Sequence, residues 1–209
     1  MELPSSFFQV VSGLISGAAF LIYIANIIWG NTRPSRSSWW IIGVVWIIFL
    51  FSSLSLAPGI SFLEKWNALA GNWILLAYIV GSFAIAILSL WCGSSDRWGM
   101  FDYLCAIFAA LAVFLFFVTE NSLWSLIFST IADFCGILPT IRNAWKFPQH
   151  EHFFAWFLES ISGILVLFAI TRWSFDLVGV SDWASPIYLV IMNTLITTII
   201  LLRHPRAER

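Results

Sequence analysis

Long apolar runs, separated by short breaks, cover the chain almost from end to end. The runs occupy residues 7–29, 38–57, 68–92, 101–118, 123–145, 153–172 and 184–202, each near the roughly 20 residues a helix needs to cross the hydrocarbon of a bilayer. The pattern predicts seven transmembrane helices. The breaks carry Gly30, Pro34 and Ser35; Pro58 and Gly59; Gly93, Ser94 and Ser95; Glu120 and Asn121; Pro148; and the stretch from Asp176 to Asp182, residues that favour turns or stop helices. No segment reads as a soluble domain or a long linker.

Composition strengthens the membrane reading. Hydrophobic residues make up 60% and charged residues 10% of the chain, with a mean hydropathy of +0.91, against roughly 45–50% and 25% in soluble domains. The lipid bilayer is therefore one partner. The 13 Trp and 20 Phe suit aromatic belts at the two interfaces, although Trp side chains can equally line a pocket. A net charge of −1 gives no reason to expect nucleic acid. Cys92, Cys105 and Cys135 lie in apolar runs without CxxC spacing and read as small buried hydrophobes. The N-terminal MELPSS lacks the basic residues of a leader peptide, and the run behind it is too long for one, so it opens the first helix.

Lys and Arg set the orientation, because loops kept in the cytoplasm are enriched in both. Arg33, Arg36, Arg97, Arg142, Lys146, Arg203, Arg206 and Arg209 fall on one side, and only Lys65 and Arg172 on the other. The N-terminus is expected outside and the C-terminus in the cytoplasm, in a plasma membrane such as the bacterial inner membrane.

A repeat appears once the helices are numbered. Trp29 and Trp40 bracket one cytoplasmic loop, and Trp145 and Trp156 bracket another at a constant offset of 116 residues. Helices one to three thus correspond to five to seven. An odd helix between the triplets makes the repeat parallel, with its axis along the membrane normal. The predicted fold is all-α: a 3+1+3 arrangement with residues 1–92 as the first bundle, 93–122 as the linker helix and its loops, and 123–209 as the second bundle.

With Pro139 near the cytoplasmic end of its fifth helix, this arrangement resembles the PQ-loop superfamily, which includes the SWEET sugar transporters, nicotinamide riboside transporters and the KDEL receptor. In that family a Pro-Gln pair in the first helix of each triplet acts as a hinge. Here the second triplet has Pro139-Thr140, and the offset puts Tyr23 opposite Pro139. The literal Pro148-Gln149 sits beside Lys146, His150, Glu151 and His152, in an aqueous loop where there is no membrane helix to bend. Pro139 is different. Inside a helix it removes an amide donor and frees a carbonyl near position 135, to be re-satisfied by a hydroxyl, water or a neighbouring helix. Thr140 is one source of a hydroxyl, and hinge and static bend are both open. Gly13 and Gly17 are the flexible positions in the first helix.

Asp133 and Glu159 are the acidic residues deep in predicted helices, where ionisable groups are unfavourable enough to mark functional sites. Counting the helical rise, Asp133 lies about 18 Å from Trp145 and Glu159 about 9 Å into its own helix. Asp133 reads as a solute donor or proton carrier. For Glu159 two readings stand: a clasp to Arg142 one turn inside the fifth helix, or, as the resemblance implies for proton-coupled branches, a proton site. Asn72 and Asn193 begin to look like a solute-binding pair because SWEET-like transporters are similar in using Asn on the third helix of each half, though Asn also serves as glue between helices. Trp46 and Trp73 lie too far from predicted helix ends to be belt residues. An aromatic wall with two amides suits a sugar, nucleoside or aromatic solute.

The expected function is a secondary transporter or facilitator of a small polar or aromatic solute (sugar, amino acid, nucleoside or vitamin) by alternating access, with or without proton coupling. The alternative is a receptor or sensor of the same fold that binds a small ligand or peptide. Self-association into a homo-oligomer is open. No cofactor or metal site is expected, since all three His fall in loops. The two lysines, Lys65 and Lys146, are both near loops, which excludes a retinal Schiff base in the last helix. Nothing at metal or nucleophile–base spacing points to an enzyme.

Overall fold

The computed structural model describes residues 4–69, 72–93, 99–119 and 122–203; Arg97, Glu120, Asn121, His204, Arg206 and Arg209 lie outside them. Within these residues the chain is all-helical. The elements are α1 (Ser5–Ile28), α2 (Arg36–Leu56), α3 (Phe62–Ala68), α4 (Asn72–Cys92), α5 (Met100–Val118), α6 (Ser122–Lys146), a 3-10 turn (Pro148–His150), α7 (Phe153–Ala169) and α8 (Leu177–Arg203). Five of them, α1, α2, α4, α5 and α8, contain stretches long and apolar enough to cross a membrane. The 25-residue α6 carries the internal Pro139, and α7 is a shorter apolar helix of 17 residues.

Two elements depart from the sequence expectation. Short α3 grows from a capping box in which Glu64 N–H donates to Ser61 Oγ at 3.2 Å and Ser61 N–H donates to Glu64 Oε2 at 3.1 Å. The Ser61-x-x-Glu64 spacing is the signature of that cap. The last helix starts at Leu177, not 184, because Asp176 Oδ1 accepts from Gly179 N–H at 2.7 Å and so satisfies a first-turn donor. Pro186, in the first turn of the predicted run, consequently lies well inside the helix.

The long helices close a ring. α1 packs on α4 and α7, α2 on α4 and α6, and α8 on α7 and α6, which gives the circuit α1–α4–α2–α6–α8–α7. α5 stands outside, against α6 and the edge of α2. Between membrane helices, small residues set how closely backbones approach. A methyl on Gly13 would run into Trp73 of α4, one on Gly136 into Ile41 of α2, and one on Gly163 into Val190 of α8. Three of the six ring contacts thus depend on a glycine. At the end of α1, Gly30 has φ +78, the left-handed region that other residues rarely adopt.

Pro139 has no N–H to offer the Cys135 carbonyl one turn earlier, and beside that carbonyl α6 receives a hydrogen bond from α2. Ser38 Oγ donates to the Gly136 carbonyl, while the Thr140 hydroxyl, expected to serve the freed carbonyl, is buried without a partner. The hydroxyl comes from the neighbouring helix because Gly136 brings α2 into contact at that point.

Candidate functional site

All six ring helices contribute to a central cavity. Ala19, Phe20 and Tyr23 come from α1, Trp39 and Trp46 from α2, Tyr78 from α4, Asp133 from α6, Trp156 and Glu159 from α7, and Asn193 from α8. The cavity is small, about 30 Å³. The rings account for the tightness. Trp39 stacks on Trp156 at 6.0 Å, Tyr23 lies 5.3 Å from Trp39, and Trp46 lies 4.4 Å from Tyr78, centroid to centroid. This is a narrow pocket walled by aromatic rings.

Its polar groups form two buried clusters. Glu159 accepts from Ser16 Oγ of α1 at 2.9 and 3.0 Å. Asn193 Nδ2 donates to the Tyr78 hydroxyl at 2.7 Å, and that hydroxyl is within electrostatic reach of Glu159. Asp133 accepts from the Tyr188 hydroxyl at 2.8 Å through Oδ2 only, and its other oxygen has no partner. Asp133 and Glu159 thus open into one cavity despite their different depths along their helices.

A third cluster closes the cavity at the end of the bundle where the described cations Arg33, Arg36, Arg142, Lys146 and Arg203 gather. There the Glu151 carboxylate accepts from the Tyr23 hydroxyl at 2.7 Å, Trp156 Nε1 at 3.1 Å and Asn143 Nδ2 at 3.0 Å. This ties α1, α6 and α7 together beneath the stacked Trp pair. Glu151 and Pro148 are buried, although the charged residues around them read in sequence as a solvated loop. The 3-10 turn folds that loop back onto the ring, and Arg33 N–H donates to the His150 carbonyl at 3.0 Å. His152 is an N-cap, its Nδ1 accepting from Ala155 N–H at 3.3 Å.

Burial raises the Glu151 carboxyl above its ordinary range, against the opposing pull of its three donors. The folded chain therefore binds more protons there than the unfolded chain in the window between the two values. The associated stability is fully present below the ordinary carboxylate range and is lost as pH rises through the raised value. Melting temperatures of wild type and Glu151→Gln, measured across pH, should show wild type gaining on the variant as the solution is acidified through that window. A pH-independent difference would mean that Glu151 titrates normally.

At the opposite end lies a second cavity, lined by Ser53, Ala57, Asp182, Ser185 and Pro186 among others. Trp46 and Leu189 line both cavities. They form the partition between them.

The structure regroups the residues singled out in sequence. Trp46, Asp133, Glu159 and Asn193 line the central cavity; Asn72 and Trp73 do not. Asn72 is the first residue of α4, where its Nδ2 donates to the Trp66 carbonyl at 3.1 Å and its Oδ1 accepts from Trp73 N–H at 2.7 Å. Trp73 is 43% exposed and packs against Gly13. The physical reason is position: α4 begins at Asn72, whereas Asn193 is well inside α8, so Tyr78 rather than Asn72 meets it. Arg142 does not reach Glu159. It pairs with Asp102 at 3.6 Å and lies over the Phe101 ring, because its helix end faces α5. Pro139 and Thr140 sit just beyond the lining residue Ile137. Sequence reasoning missed Ser16, Trp39, Tyr78, Glu151 and Tyr188, whose roles come from the helices they face. Tyr23, which the repeat offset set opposite Pro139, was the one signal that could have found the closure.

Compared with protein-family models, curated proteins and solved structures, the chain shows no significant match.

Proposed function

We propose that this chain is a multi-pass secondary transporter or facilitator of a small solute, built as a PQ-loop-like 3+1+3 parallel repeat with its basic end in the cytoplasm. The observation that carries the reading is the central cavity, shared by all six ring helices and flanked on both sides. Towards the basic end the Tyr23–Glu151–Trp156 cluster closes it, and towards the other end Trp46 and Leu189 separate it from a second cavity. Alternating access needs such a pair of separable closures around one site. The ring order supports the repeat: α1 meets α7 as α6 meets α2, and α4 and α8 each lie between the other two helices of their own triplet. The five described cations at one end, against Lys65 and Arg172 at the other, support the orientation. In this scheme Asp133 and Glu159 are the groups able to move a proton with the solute, and the membrane is the plasma membrane.

Reconstitution tests the proposal. Proteoliposomes given a panel of labelled sugars, amino acids, amines, nucleosides and vitamins should accumulate one class, and a pH gradient should drive that accumulation. Glu159→Gln is expected to reduce gradient-driven uptake to the rate seen without a gradient. Driven uptake undiminished in both Glu159→Gln and Asp133→Asn would remove proton coupling. Saturable binding of a panel member without translocation would instead assign a receptor.

A further inference from the structure

The central cavity also specifies the chemistry of its occupant. Most of the hydrogen-bonding groups on its wall are already engaged: Tyr23 with Glu151, Asn193 with Tyr78, and Glu159 with Ser16 behind the wall. Two buried polar atoms of the lining are left without a partner, Asp133 Oδ1 and Trp39 Nε1, and Asp133 is only 2% exposed. No Lys, Arg or His lines the cavity among the described residues. Arg142, the cation nearest in sequence, is held by Asp102 at 3.6 Å.

Two carboxylates therefore face an otherwise apolar, aromatic enclosure with no positive charge to balance them. Buried charge of one sign is strongly unfavourable, so these carboxyls are stable only when protonated or when a cation balances them, and the faces of Trp and Tyr rings attract cations. The rings of Trp39, Trp46, Trp156, Tyr23 and Tyr78 supply those faces around Asp133 and Glu159. A polyhydroxylated solute fits less well. It would bring several hydroxyls to a wall with two unpartnered polar atoms, and each hydroxyl left unpaired would lose its hydration without replacement. A solute carrying its own carboxylate would be repelled by Asp133 and Glu159. A hard metal ion would want some six oxygen ligands, more than this wall presents.

We infer that the occupant is a small organic cation, an ammonium group on an apolar or aromatic body, held by the open oxygen of Asp133 with Glu159 nearby and wrapped by the Trp and Tyr rings. This names the solute class for the site of the proposed transporter and rests on that cavity being the binding site.

The test compares matched pairs on the purified full chain in detergent by isothermal titration calorimetry. Tyramine, tyrosol and tyrosine share one body and carry an ammonium, a neutral hydroxyl, and an ammonium with a carboxylate. Choline and 3,3-dimethyl-1-butanol differ only in charge. Methylammonium, glucose and sodium chloride complete the set. At least one of tyramine, choline and methylammonium should bind saturably, with the neutral counterpart of tyramine or choline weaker by about tenfold or more, the effect of a desolvated cation–π contact with a carboxylate behind it. Tyrosine should bind more weakly than tyramine. Asp133→Asn should erase the preference for the charged member, and Asp133→Glu should retain it. Because the paired ligands are compared on wild type, the test survives even a variant that does not fold. Equal binding of charged and neutral partners, preference for glucose or tyrosine, or no binding by any organic cation would overturn the inference. In proteoliposomes the two claims separate: cations bound but never moved would sink transport and leave the class intact, whereas glucose moved and cations ignored would do the reverse.

Discussion

Replacing Trp46 with alanine should destabilise the purified protein by about 3–5 kcal/mol, the range for removing a large aromatic from a packed interior. Trp46 is 1% exposed and lies between Phe49, at 5.1 Å, and Tyr78, at 4.4 Å. It also forms part of the partition between the two cavities. Truncation therefore removes ring contacts and joins two spaces, leaving a hole that rigid helices on either side do not easily fill. Thermal unfolding in detergent should show a large fall in melting temperature for Trp46→Ala and a small one for Trp46→Phe. In proteoliposomes the alanine variant should leak solute without a driving gradient. A melting curve superimposable on wild type would mean that Trp46 is neither a packing centre nor a partition.

The second large effect concerns Pro139. Proline inside a helix costs about 3 kcal/mol or more, through its missing donor and the clash of its ring with the carbonyl one turn earlier. Pro139→Ala restores the donor to the Cys135 carbonyl, so the protein should melt higher, by up to that amount. If Pro139 is the hinge of the proposed transporter, uptake should fall even as stability rises. Ser38→Ala supplies a control. Loss of that hydroxyl removes one interhelical hydrogen bond to Gly136 and should cost about 0.5–1.5 kcal/mol, with a similar cost in the Pro139→Ala background because the two changes act on different carbonyls, which a double-mutant cycle measures. Unchanged uptake in a stabilised Pro139→Ala variant would reduce the proline to a fixed bend.

Both variants show how unevenly the molecule can be read from its residues. The apolar runs at 101–118 and 123–145 became α5, Met100–Val118, and α6, Ser122–Lys146, nearly residue for residue, since helix length in an apolar run follows from local composition. The early start of α8 and the existence of α3 depend on single caps, Asp176 and Ser61, signals that a hydropathy pattern averages away. For the site, Asp133 and Glu159 stood out because carboxylates in apolar runs are rare and unfavourable. Asn72 and Trp73 misled because spacing was used in place of contact. Glu151 went the other way: flanked by His150 and His152 it looked wet, and only the folding of its turn onto α1 and α6 buries it.

The division has a physical cause. Hydrophobic periodicity, breaks and charge act over a few neighbouring residues, so by itself the sequence determined that the chain is helical, multi-pass in character and strongly asymmetric in its basic residues. Which carboxylate meets which donor depends on helices far apart in the chain: Ser16 to Glu159 spans 143 residues and Tyr23 to Glu151 spans 128. Those meetings are set by how glycines at positions 13, 136 and 163 let backbones approach and by which faces then turn inward. Tertiary structure alone decided that Arg142 belongs to Asp102, that Glu151 closes one end, and that Asp133 is left facing an aromatic cavity with one oxygen unpaired.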